Sequence, residues 1–147
     1  MEFFAELAQN RVLWTAMLCW LSAQVIKVIF YAVRNRHFSF ERLVGAGGMP
    51  SSHSATVCGL AVAVGRTCGL ASPMFAIAMI VAAVVMYDAT GVRRAAGEQA
   101  KVLNRLILEQ DWSQAQKNLK EFLGHTPLEV LAGAILGIAL AFLVPIA

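Results

Sequence analysis

VLWTAMLCWLSAQVIKVIFYAV, residues Val12–Val33, decides the fold class. A single cation, Lys27, interrupts an apolar run that matches the roughly 20 residues a helix needs to cross a bilayer. The whole chain has the same character. Its 147 residues are 59% hydrophobic and 14% charged, with a mean hydropathy of +0.65. Soluble domains are about one-half apolar and about one-quarter charged. The expected fold is therefore all-α, a polytopic membrane helix bundle. The length sets one integral membrane domain over 1–147. Further apolar segments at 54–66, 73–88 and 128–146 bring the expected transmembrane helices to about four.

The segment between the third and fourth spans, 95–124, is expected to be a helical insert. Val102, Leu103, Leu106 and Ile107 repeat at helical spacing, and Trp112, Leu119, Phe122 and Leu123 do so more loosely. Two short amphipathic helices follow, breaking near Asp111–Ser113, along the membrane surface or over a site. Cys19, Cys58 and Cys68 form no CxxC pair and read as small core residues. The start, Met1-Glu2-Phe3-Phe4-Ala5-Glu6, lacks the basic region and cleavage site of a signal peptide, so the first apolar segment is expected to remain.

Four crossings place ten of the twelve Lys and Arg residues on or beside one side, leaving Arg11 and Arg66 on the other. That side is cytoplasmic by the positive-inside rule, which also accounts for the pI of 9.0 without nucleic acid as a partner. The expected location is the inner membrane, with both termini on the opposite side. All three histidines gather at the cytoplasmic border.

Three polar elements converge there. Gln24, Lys27, Tyr31 and Arg34 are spaced three, four and three residues apart and form one helical stripe. Polar groups in a spanning helix normally face a polar interior, and two cations suit an anion. Snorkelling to the headgroups is the plain alternative, stronger for Arg34 than for Lys27, about 10 Å deeper. Gly47-Gly48-Met49-Pro50-Ser51-Ser52-His53-Ser54 opens the second span. Proline suits the first turn of a helix, the amides of that turn attract phosphate, and a histidine one turn in can give or take a proton near neutral pH. An ordinary helix start is the alternative. In Gly124-His125-Thr126-Pro127-Leu128-Glu129, His125 and Glu129 stand four apart, on one helical face. A carboxylate on one ring nitrogen makes the other a better base or nucleophile; a cap with an acidic first turn is the alternative.

Lys27-x6-Arg34, Pro50-Ser51-Ser52-His53 and His125-x3-Glu129 together resemble the type-2 phosphatidic acid phosphatase family. The resemblance is closer to a small divergent branch, through Gly47–Ala55, Met86–Arg94 and Gly124–Pro127. It implies that His125 attacks phosphorus, Glu129 orients it and His53 protonates the leaving oxygen. Lys27, Arg34 and the Ser51–Ser52 backbone would hold phosphoryl oxygens. It also implies no metal or other cofactor; Asp88 and Glu98 are the nearest carboxylates to such a role.

The chain departs from the family pattern at Asn35, where proline follows the arginine, at Ser52 in place of glycine, and at Leu119 in place of an arginine. Arg93 or Arg94, with Asp88 directing one of them, would replace that last charge; Lys117 and Lys120 are the alternatives.

The expected activity is hydrolysis of a lipid phosphate or related phosphomonoester through a phosphohistidine, with membrane lipids as surroundings. A non-catalytic lipid-phosphate binder or scaffold is the second reading, and a small transporter or channel the third. Ala132-Gly133-Ala134-x-x-Gly137 offers a close-packing face, for a homodimer or within one chain.

Overall fold

The computed structural model describes residues 2–36, 48–109 and 124–145, with the backbone alone at 34–35, 92–94 and 106–109. Six helices occupy them: α1 (Glu2–Gln9), α2 (Arg11–Asn35), α3 (Ser52–Cys68), α4 (Pro73–Thr90), α5 (Val92–Glu109) and α6 (Pro127–Leu143). There is no strand among the described residues. The protein is an all-α membrane helix bundle.

Helix starts follow local chemistry. Asn10 Oδ1 accepts from Leu13 N at 3.0 Å and starts α2. Ser72 Oγ accepts from Phe75 N at 3.2 Å, with Pro73 in the first turn of α4. Pro50 differs from expectation. It lies outside its helix, because Ser51 is the cap and α3 begins at Ser52. The insert also starts earlier than expected: α5 begins at Val92, one residue after α4 ends. The expected break near Asp111–Ser113 and the second amphipathic segment lie outside the described residues. The short helix α1 was not anticipated; Phe3, Phe4 and Leu7 on it are exposed.

α3 is the central element and packs against α2, α4 and α6. Its 17 residues span about 26 Å, less than a bilayer core of about 30 Å. The segments 54–66 and 73–88, joined by the tight connection around Arg66, read in sequence as a helical hairpin partly shielded by the other spans. Only α3 is sheltered, since α4 buries just Ala78, Ala82 and Ala89.

Size sorts the side chains. The interior is built mostly of Ala, Gly, Ser and Cys, with Val28, Val64 and Val130 among them, while large residues such as Leu21, Ile29, Ile80, Val84 and Phe142 are exposed. A water-soluble domain buries its large apolar residues. In hydrocarbon those residues gain nothing by turning inward, and close backbone approach through small residues drives association instead. Thr15, Thr56 and Thr67 each donate to the carbonyl four residues back, at 2.7, 2.7 and 2.8 Å, so these three hydroxyls are not stranded at apolar depth. Cys19 and Cys58 are buried as expected, whereas Cys68 is exposed at the end of α3.

The Gly133–Gly137 face is used within the chain. A methyl at Gly133 would overlap the carbonyl oxygen of Ser51, and one at Gly137 that of Ala55. α3 therefore covers the surface that had offered a dimer contact. At the far end, the Arg66 guanidinium crosses from α3 to α6, donating to the carbonyls of Ala141 and Val144. Cations suit the negative end of a helix, and Arg66 also lies 5.8 Å from the Phe142 ring centroid.

Candidate functional site

Four helix termini meet at the end opposite Arg66. Two backbone bonds tie them: Ser51 N to Glu129 O at 3.0 Å, and His125 N to Ala89 O at 2.9 Å. The start of α3 is thereby joined to α6, and the loop before α6 to the last turn of α4. Residues far apart in sequence are gathered into one layer.

His125 is 3% exposed, and its Nδ1 lies 3.1 Å from Glu129 Oε2. An ionised carboxylate only accepts, so this contact favours a proton on Nδ1, and in the neutral ring that tautomer puts the lone pair on Nε2. The same Oε2 accepts from Thr126 N at 3.0 Å, and Thr126 Oγ1 accepts from Glu129 N at 3.3 Å. These two bonds form a capping box. The helix cap and the histidine partner, read from sequence as alternatives, are therefore one carboxylate with both tasks.

His53, half-buried in the first turn of α3, faces His125 with ring centroids 6.0 Å apart and planes at 64°. Ser51 Oγ accepts from Ser54 N at 3.4 Å and from Ser54 Oγ at 3.1 Å. Ser51 and Ser52 are both buried. The Ser51 amide differs from its expected part in a phosphate cradle, because it already donates to Glu129 O. The remaining first-turn amides of α3 begin with Ser52.

Lys27 is 4% exposed and donates from Nζ to Gln24 Oε1 at 2.8 Å. A buried ammonium is costly unless it is hydrogen-bonded or paired, and Gln24 supplies a neutral acceptor without cancelling the charge. Gly48, at φ +91°, runs alongside the Lys27 stem; an added Cβ would sit 3.4 Å from Lys27 Cγ. Gly48 thus brings the chain past α2 on its way into α3. Tyr31 and Asp88 are half-buried. The side chains of Arg34, Arg93 and Arg94 are not among those described, and Lys117, Leu119 and Lys120 lie outside the described residues. Among the described residues, no three or more His, Cys, Asp or Glu come together as a metal site.

Sequence reasoning singled out the Gly47-Gly48 pair and a helix cap before Glu129, and passed over a buried polar residue, Asn104. Thr126-x-x-Glu129 carries a readable capping signal. Asn104, 5% exposed, continues a buried line of Gly97 and Ala100 along α5. One asparagine on a small-residue stripe was its signal.

A model of the divergent PAP2 family matches residues 8–140 of the chain. An uncharacterized membrane protein of Bacillus subtilis (strain 168), YuiD, is 43% identical over 148 residues, covering 92% of this chain and 94% of the relative. No solved structure matches.

Proposed function

We propose that this chain, which belongs to the divergent PAP2 family, is a membrane phosphatase that hydrolyses a lipid phosphate or related phosphomonoester through a phosphohistidine on His125. The observation that carries this reading is the buried His125–Glu129 pair at 3.1 Å, with the His53 ring facing it.

The Nε2 lone pair of His125 attacks phosphorus while the bond to the ester oxygen breaks, and that oxygen takes a proton from His53. The imidazolium character that grows on His125 is offset by Glu129. Neutral His53 then removes a proton from water, whose oxygen displaces Nε2 from phosphorus and releases phosphate. Charge on the phosphoryl oxygens is met by Lys27 and by Arg34, Arg93 and Arg94, with the Ser52 amide at the positive end of α3. Ser51 holds that turn in place, Gln24 and Tyr31 support the Lys27 stripe, and Asp88 directs an arginine. The site end faces the cytoplasm, on the side where the cations concentrate.

The test is phosphate release by purified protein from phosphatidate, phosphatidylglycerophosphate and a soluble phosphomonoester, with EDTA present. The expected result is release by wild type and loss in both His125→Ala and His53→Ala. Folded wild-type protein that releases nothing would favour a lipid-phosphate binder without turnover, the reading to which Leu119 in the arginine position points. Release that EDTA abolishes would overturn the assignments to the histidines.

A further inference from the structure

Between α3, α4 and α6 lies a groove of about 580 Å³ that contributes nothing to the polar site. It runs along α3 from Cys58 to Arg66, a rise of about 12 Å. Its walls carry small residues, Ala61, Ala82 and Ala134 among them, and at Gly65 the side chains of Leu70 and Phe75 pack where a Cβ would stand. Among the described residues, Arg66 is the one charged residue on its walls.

The two ends differ. At one end, Cys58 Sγ lies 3.7 Å from Met86 Sδ, joining the α3 and α4 walls. Met86 stands one turn before Ala89, whose carbonyl holds the His125 amide. The groove therefore ends about 4.5 Å of helical rise from the loop that carries His125. At the other end, Arg66 bridges to α6 beside Phe142, and both residues line the groove. Apart from Arg66 at its far end, which already donates to two carbonyls of the α6 end, the described walls offer few partners to a peptide backbone or a polar headgroup. A hydrocarbon chain needs none.

We propose that this groove takes one hydrocarbon tail of the phosphorylated lipid whose headgroup sits at His125, and that the Arg66–Phe142 bridge sets the tail length it accepts. The proposal rests on the phosphatase reading for its headgroup. A tail tethered to a phosphate at the site enters beside Met86 and reaches the bridge one slot-length later. A longer tail must turn out into the bilayer, and a shorter one leaves apolar wall uncovered.

Two measurements test this, and the first does not depend on turnover. His125→Ala protein in phosphatidylcholine nanodiscs is photolabelled with a phosphatidate carrying a diazirine midway along one acyl chain. Adducts are expected within 58–66, 75–86 and 134–142, and excess phosphatidate but not phosphatidylcholine of the same chains should suppress them. Adducts elsewhere, or equal suppression by both lipids, would mean bulk bilayer lipid and overturn the proposal. The second compares wild type, Ala134→Phe and Phe142→Ala on phosphomonoesters of increasing chain length and on a chainless soluble one. Ala134→Phe should lower kcat/KM for long chains about tenfold and leave the soluble ester unchanged; Phe142→Ala should move the optimum to longer chains. Equal losses on all esters would reduce both positions to a structural role and overturn the ruler. Wild type inert on every ester would refute the phosphatase reading, while the labelling still decides whether a phosphorylated lipid lies in the groove.

Discussion

The Glu129 carboxylate shows how much depends on one side chain. It closes the first turn of α6 and holds the His125 tautomer with the same oxygen. Glu129→Gln keeps an oxygen for the Thr126 amide but removes the negative charge opposite Nδ1. Phosphate release is expected to fall by about 10²–10⁴-fold with little change in the thermal midpoint; an unchanged rate would reduce Glu129 to a cap. Lys27→Met keeps the stem and removes the buried cation. Its kcat/KM should drop about 10²–10³-fold, the scale for losing one group that stabilises transition-state charge. A purely structural Lys27 would instead appear as lost stability with normal kinetics. The i, i+4 spacing of His125 and Glu129 made their meeting legible in sequence, because both ends of that contact lie on one helical turn. The 3.0 Å bond that engages the Ser51 amide was not legible, since its acceptor lies on another helix.

Among the elements, α3 and α6 depend on each other at two glycines. Gly133→Ala would press a methyl into the Ser51 carbonyl, at the residue that caps α3. A destabilisation of about 1–3 kcal/mol is expected, read as a lower unfolding midpoint in detergent. Phosphate release should fall as well, because the His53 turn is displaced along with the cap. Full activity and stability in this variant would show that the α3–α6 contact is looser than described. The helices form over the apolar segments because capping side chains and run length are local signals. Shelter was not local: nothing in the composition of 54–66 and 73–88 distinguishes the enclosed α3 from the outlying α4. The difference arises from which neighbours surround each helix.

For the whole molecule, orientation is the open arrangement that the cysteines can report. Cys68 is exposed at the end opposite the site, while Cys19 and Cys58 are buried. A membrane-impermeant maleimide is therefore expected to label Cys68 in right-side-out vesicles and to leave it unlabelled in inverted ones, with Cys68→Ser as the blank. The reverse pattern would turn the site away from the cytoplasm and exclude inner-leaflet lipids as substrate.

The sequence by itself determined the membrane class, the family and the residue types available for chemistry. Those follow from apolar run length, from motifs read in order and from contacts within one helical turn. Only the tertiary structure decided that His53 faces His125, that Gly133 and Gly137 pack inside the chain and that Gln24 holds Lys27 below the surface. It also decided that a groove runs from beneath the site to Arg66. The histidine pair, the glycine contacts and the groove depend on how closely separate helices approach, and Lys27 becomes buried only once other segments cover it. That approach is governed by small side chains on facing surfaces, a property of pairs of elements that no single stretch of chain contains.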